Sequence, residues 1–325
     1  MNRRTALTLL PGLIGLHAPA VRAQERYPDR PIRLIIPFAA GGSNDIVGRV
    51  IAEGMAARLG QTFVVENRGG AGGILGNEAV ATSASDGYTL LLGGSGSFLI
   101  SSLVQPKVPY DIIRDFAPVG FIGNAPNVIT VNPKVEARAM GELRDLARRA
   151  MPPLSYASPG VGTTGHVLGA LLALEFGAEM EHIPYRGTGP AITDVLAGRV
   201  QILTNAAAPL RPHIASGGLR AVAVAAPRRL EFLPDVPTTV EQGFPAILSS
   251  TWYGLLGPAG LPADRVAALH GALNATLAEA GAKQRLSEEG VDIEASPTPA
   301  AYARFIEVDR KRWQEVVTRA GIRAE

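Results

Sequence analysis

The sequence predicts an α/β protein in two domains, and three observations carry that expectation. At 325 residues, the chain exceeds the size at which a single hydrophobic core usually stops growing. Short apolar runs alternate with segments whose apolar residues recur at i, i+3 and i+4, as in parallel strands buried between covering helices. Hydrophobic residues make up 46% and charged residues 18%, a balance suited to a packed core and not to disorder.

The elements follow in chain order. Strands are expected at 32–38, 62–66, 88–92, 119–122 and 127–131, and again at 154–157, 181–184, 200–204, 219–225 and 252–256. Between most of them lie helical patterns at 45–59, 140–150, 166–176 and 190–197, with glycines and prolines punctuating the connections. Two longer helices close the chain. One runs over 262–281 and starts with Pro262 just inside its first turn; the other runs over 298–320. The second places Tyr302, Phe305, Ile306, Trp313, Val316 and Val317 on one stripe, a core-packing pattern. Strand, glycine loop and helix occur at 32–59 and again at 154–176, an approximate internal echo.

The first residues form an export signal. Arg3 and Arg4 precede an apolar run from Ala6 to Ala18, too short to span a bilayer, and Val21-Arg22-Ala23 offers small residues for cleavage before Gln24. Segment 1–23 is therefore expected to be removed, leaving a soluble exported protein. Taking its three arginines from 31 basic residues leaves 28 against 29 acidic ones, a net charge of −1. That balance removes the electrostatic motive for a nucleic-acid partner. The absence of cysteine excludes disulfides, a thiol nucleophile and a lipid anchor.

Two glycine loops carry the chemistry. Phe38-Ala39-Ala40-Gly41-Gly42-Ser43-Asn44-Asp45 leaves a buried strand and opens a helix. Backbone N–H groups there, with the positive end of the helix dipole, hold a carboxylate or phosphate without a cationic side chain. Asp45 reads either as a first-turn helix acid or as an acceptor for a ligand donor or ordered water. The second loop, Ser158-Pro159-Gly160-Val161-Gly162-Thr163-Thr164-Gly165-His166, fits GxGxxG between a strand and a helix. A dinucleotide site also wants an acid at the end of the next strand, whereas Glu179 and Glu181 stand at its beginning. An anion cradle suits the same geometry better, with Thr163 and Thr164 adding hydroxyl donors. His166 reads as a first-turn helix residue or as a ligand contact. No GxSxG elbow, HExxH or P-loop lysine is present, and no metal or cofactor is called for. An exported dinucleotide-binding enzyme or serine hydrolase is the alternative class.

Several strings in the sequence resemble the Bug family, periplasmic solute receptors of tripartite tricarboxylate transporters. They are Pro37-Phe38-Ala39-Ala40-Gly41-Gly42 with Asp45 and Arg49, Val65-Glu66-Asn67-Arg68-Gly69-Gly70-Ala71-Gly72-Gly73, and Asp86-Gly87-Tyr88-Thr89-Leu90-Leu91. Asp115-Phe116-Ala117-Pro118-Val119, the 158–166 loop, His182-Ile183-Pro184-Tyr185-Arg186-Gly187 and Pro234-Asp235-Val236-Pro237-Thr238 complete the set. The resemblance runs from about Tyr27 to the C-terminus. It departs at Ser101-Ser102, where the family often has Asn-Pro, and at Thr204-Asn205, where an Asp is common.

The resemblance implies a two-lobed periplasmic-binding-protein (Venus-flytrap) fold, each lobe a mostly parallel sheet flanked by helices. It also implies a small carboxylate gripped between the lobes and delivered to membrane permease subunits. Lobe one is expected at 27–125 plus 250–325, and lobe two at 126–249. The candidate ligand-binding residues are Phe38, Ala40, Gly41, Gly42, Asp45, Gly94 and Ser95 from lobe one. Lobe two supplies Gly160, Gly162, Thr163, Thr164, His166 and Asn205. The expected protein is a periplasmic monomer, not an enzyme.

Overall fold

The computed structural model describes residues 27–323, so the expected signal segment lies outside the described residues. From the N-terminal end come β1 (Ile32–Ile36), α1 (Ser43–Leu59), β2 (Phe63–Asn67), α2 (Ile74–Ala81) and β3 (Thr89–Gly94). A π-helical stretch, Ser95–Ile100, leads into α3 (Ser101–Val104) and the long β4 (Phe116–Val131). Next are α4 (Met140–Arg149), β5 (Leu154–Ser158), α5 (Thr164–Phe176), β6 (Met180–Pro184), α6 (Thr188–Leu196) and β7 (Ile202–Ala206). The chain continues through α7 (Arg211–Ala215), β8 (Arg220–Val224), β9 (Ser250–Pro258), α8 (Ala263–Ala278) and α9 (Ala280–Glu288). It ends with β10 (Asp292–Ile293) and α10 (Pro299–Arg319).

The strands lie in the order β2-β1-β3-β9-β4-β7-β5-β6, with β8 and β10 also paired to β4. Three strands at each end are parallel: β2-β1-β3 and β7-β5-β6. The pairings of β9 with β3 and of β4 with β9, β7, β8 and β10 are antiparallel. Most strands of each half therefore share one direction, as expected: β9 and β10 run against β2, β1, β3 and β4 in the first, and β4 runs against β6, β5, β7 and β8 in the second. β4 joins the halves. Phe116–Pro126 pairs with β9, and Asn127–Val131 pairs with β7 and β8.

The expected strands at 119–122 and 127–131 are thus one strand. The intervening Gly123 and Pro126 resemble a turn, but both have work within the strand. A Cβ at Gly123 would collide with the Asp292 carbonyl of β10, so glycine lets that short strand pair. Pro126 sits where β4 changes partners, a place where a missing N–H is tolerated. The helix expected over 262–281 is also divided, because Glu279 adopts extended backbone (φ −72°, ψ 135°) between α8 and α9.

Each half is covered on both faces. Leu34 and Ile36 of β1 face Val47, Ile51 and Met55 of α1 and Leu269 and Leu273 of α8. The alternate residue Ile35 joins Phe98, Trp252, Tyr302 and Trp313 on the other face. In the second half, Ile129 and Ile202 pack with Leu168 and Leu172 of α5, while Val128 and Leu203 pack with Ala191 and Val195 of α6. Burying each large apolar side chain stabilises the fold by about 1.5–3 kcal/mol. Tyr302, Ile306, Trp313 and Val317 of α10 are buried, as their stripe predicts, and Phe305 and Val316 flank them. Within this apolar layer Asp309 accepts hydrogen bonds from the indoles of Trp252 (2.7 Å) and Trp313 (2.9 Å).

Candidate functional site

The ends of the parallel strands converge on one cavity between the halves. Phe38, Gly42, Ser43, Asn44, Gly94, Gly96 and Ser97 line it from the β1, β3 side, with Thr251 and Tyr253 from β9. Pro159, Thr163, Thr164, Thr188 and Asn205 line it from the second half. Its volume is about 30 Å³, room for one or two water molecules. Every lining side chain is uncharged.

Helices α1 and α5, one from each half, start at this cavity, as does α6 at Thr188. Gly42 caps α1 without a side-chain hydrogen bond, and Ile46 N–H is the first to close a turn, onto the Gly42 carbonyl at 3.1 Å. The N–H groups of Ser43, Asn44 and Asp45 therefore have no acceptor among the described residues. At α5, Thr163 is the cap: its Oγ1 accepts from His166 N–H at 3.2 Å and donates to the Gly160 carbonyl at 2.8 Å. Thr164 and Gly165 keep their N–H groups unpaired among the described residues. α6 brings Thr188 to the same wall.

Among the described residues, three buried side-chain polar atoms on the wall also lack a hydrogen-bond partner: Asn44 Nδ2, Ser97 Oγ and the Tyr253 hydroxyl. Burial drives the Tyr253 phenol pKa up, with Ser43 beside it acting in the opposite direction. A buried unpartnered polar atom costs about 1–3 kcal/mol, so three on one wall are a site-grade concentration.

The halves touch across the cavity. Asn205 Nδ2 donates to Ser43 Oγ (3.2 Å), and the Thr164 and Thr251 hydroxyls lie 2.6 Å apart. Ser101 Oγ donates to the Gly72 carbonyl (2.7 Å) and lies 3.4 Å from the Gly162 carbonyl, which brings α3 against the 158–163 loop.

Of the residues singled out from the sequence, Phe38, Gly42, Gly94, Thr163, Thr164 and Asn205 line the cavity, while the other seven do not. Asp45 is turned away from it. One carboxylate oxygen accepts from Gly41 N–H (3.0 Å) and Arg49 Nε (3.0 Å), and the other from Asn67 Nδ2 (2.9 Å) and the second Arg49 nitrogen (3.0 Å). Burial raises its pKa, but the donors from Arg49, Gly41 and Asn67 outweigh burial and hold the carboxyl below its ordinary value. Its four acceptor positions are filled, so a ligand donor finds none free.

The remaining six serve the loops around the cavity. Ala40 and Gly41 form the exposed turn before α1. Ser95 Oγ accepts from Trp252 N–H (3.2 Å). Gly160 lies under the Tyr185 carbonyl, and Gly162 lies against Ser101 and Val104 of the opposite half. His166 Nδ1 accepts from Gly162 N–H at 3.2 Å. Ser43, Asn44, Gly96, Ser97, Pro159, Thr188, Thr251 and Tyr253 complete the wall outside the candidate set. The first two stand inside the glycine string and were visible there. Tyr253 and Thr251 lie in an apolar strand with no motif to mark them.

Two covered α/β halves joined by β4 and β9, with a cavity walled by both, define a periplasmic-binding-protein fold. A family model described as tripartite tricarboxylate transporter family receptor matches residues 47–322, and the chain belongs to that family. Protein BugT of Bordetella pertussis (strain Tohama I) is 36% identical over 311 residues, covering 94% of each chain. Among solved structures, the R. palustris protein Rpa4515 with adipate superposes with a TM-score of 0.87 at 30% identity, covering 91% of this chain and 99% of its own. MatC from Rhodopseudomonas palustris with bound malate gives 0.83 at 30% identity, covering 90% and 100%. The family consists of periplasmic solute receptors, not enzymes. Among the described residues no helix is long and apolar enough to cross a membrane.

Proposed function

We propose that this protein is an exported receptor that closes its two lobes on a small carboxylate and presents it to a tripartite permease. One observation carries the reading. Helices α1 and α5, from opposite halves, begin at one cavity with unpaired N–H groups, and every side chain on the wall is neutral. Each helix start carries about half a positive charge, which favours a carboxylate at either end of the cavity. A ligand with two carboxylates satisfies both starts together, as malate and adipate would; these accompany two neighbours of this chain. The orphaned Asn44, Ser97 and Tyr253 groups supply further hydrogen bonds to it.

Because the cavity is small, the ligand is admitted by separation of lobes 27–125 plus 250–325 and 126–249. The two crossings, at Ala125-Pro126 and Ser249-Ser250, flex. Closure excludes water and strengthens each charge-assisted bond, and the permease reads the closed shape. The exported protein starts at or near Gln24, which intact-mass measurement of the periplasmic form tests.

Binding is tested by calorimetry of the mature protein with malate, adipate and their diamides. An acid should bind and its diamide should bind at least a hundredfold more weakly, because each lost charge-assisted hydrogen bond costs about 1.5–3 kcal/mol. Equal affinity for acid and diamide would contradict the carboxylate reading.

A further inference from the structure

The 158–163 loop is backed by two histidines that the cavity does not use. His166 and His182 stack with ring centroids 3.8 Å apart and planes within 6°. Tyr156, the cross-strand neighbour of His182, lies beside the pair, its ring centroid 4.9 Å from that of His182 and 6.5 Å from that of His166. His166 Nδ1 accepts from Gly162 N–H, so that nitrogen carries no proton. His182 Nε2 lies 2.7 Å from Ser158 Oγ, which in turn accepts from Gly160 N–H at 3.2 Å. Three loop residues thus depend on the two rings.

We propose that His166 and His182 are positioning residues, a neutral stacked pair that holds the 158–163 loop in the shape that binds ligand and releases it when protonated. The proposal rests on the reading of the cavity as the ligand site. Protonated at Nδ1, His166 would set one N–H against that of Gly162 at 3.2 Å, and two charged rings would face each other. Among the described residues no countercharge offsets this. β5 presents Tyr156; Glu181 of β6 pairs with Ser155 and so points to the opposite face of the sheet from His182. β7, the adjoining part of β4 and the Ser95–Ile100 stretch present no ionisable group, while Arg148 of α4 reaches the Phe176 carbonyl at the far end of α5. Tyr185 is engaged with Asp194. Burial accordingly lowers His166 from 6.5 to about 4, and burial with the His166 neighbour lowers His182 to about 3.

The test is calorimetry with malate and adipate at pH 7.5 and 5.0 on the mature protein, His166→Leu, His166→Asn and His182→Gln. Asn restores an acceptor near the Nδ1 position without titrating. At pH 7.5, His166→Leu should bind at least tenfold more weakly than the parent, and His166→Asn should recover to within about threefold. Protonation of the ligand acts equally on every protein, so the parent-to-His166→Asn affinity ratio isolates the histidine. That ratio should fall threefold or more on going to pH 5.0, towards a ceiling of about thirtyfold if the released loop titrates at its ordinary value. His182→Gln should flatten the pH profile in the same direction and serves if His166→Asn does not fold. Identical pH profiles for parent and variants, or parental binding by His166→Leu, would overturn the proposal. If neither acid binds any of the proteins, the functional reading has failed, and the histidines are judged by side-chain nitrogen NMR of the ligand-free protein. An Nδ1 that carries no proton at pH 7.5 supports the pair, and a protonated Nδ1 at that pH overturns it.

Discussion

Gly162→Ala separates the cost of folding from the cost of closing. Gly162 has φ +79°, and a Cβ there would lie 2.7 Å from Ser101 Cα and 2.7 Å from Val104 Cγ2, against at least 3.4 Å for ordinary contact. Two penalties follow, and they act on different states. The left-handed backbone costs alanine about 1–2 kcal/mol whether the lobes are open or closed. The overlap exists only when α3 of one half meets the 158–163 loop of the other. Because the nearest atom is backbone, it must be relieved by parting the lobes. Overpacking of this kind costs about 1–3 kcal/mol, which weakens ligand binding by about five- to 150-fold. Thermal melts without ligand report the first penalty, and calorimetry with a bound carboxylate reports the second. Small-angle scattering of the saturated variant should show a larger radius of gyration than the saturated parent. A lowered melting temperature with parental affinity would refute the reasoning, since the lobes would then bind ligand without meeting at Gly162.

Three further outcomes are expected. Tyr253→Phe removes a buried hydroxyl without a hydrogen-bond partner among the described residues, so the melting temperature should hold or rise while affinity falls about five- to tenfold; a lowered melting temperature with unchanged affinity would contradict this. Asp45→Asn turns one of two doubly bonded oxygens into a donor facing donors, which should lower the unfolding free energy by about 3 kcal/mol and leave the affinity within about threefold, as urea titration and calorimetry would read. His166 resists protonation down to about pH 4, whereas the unfolded chain takes the proton near 6.5. Below pH 6.5 the unfolded state therefore binds more protons, and stability should fall with pH by up to about 3 kcal/mol before levelling off near pH 4. His166→Asn should lack that part of the loss.

Much of the fold is legible in the sequence because double burial leaves long apolar strands and the intervening helices repeat at 3.6 residues. Ile32–Ile36 followed by Ser43–Leu59 is such a unit. β4 escaped because a strand that changes partners needs a glycine and a proline inside it, the same residues that end strands elsewhere. β10 is only two residues long and pairs across a great sequence distance. The site was half legible. A glycine loop advertises a helix start, and both helix starts reach the cavity. What it does not advertise is which side chains point inward. Asp45 stands in the right string, but its carboxylate is consumed by Arg49 and Asn67, whose contributions come from a later turn and a neighbouring strand. Thr251 and Tyr253 reach the wall from β9, a strand whose sequence reads as core.

The most direct measurement is a crystal structure of the mature protein with the tightest-binding carboxylate from the malate and adipate series. One carboxylate should lie within about 2.7–3.1 Å of the N–H groups at Ser43–Asp45, the other at those of Thr164 and Gly165, with the Tyr253 hydroxyl and Ser97 in contact. A ligand seated outside the cavity, or one whose carboxylates face away from both helix starts, would contradict the proposed function.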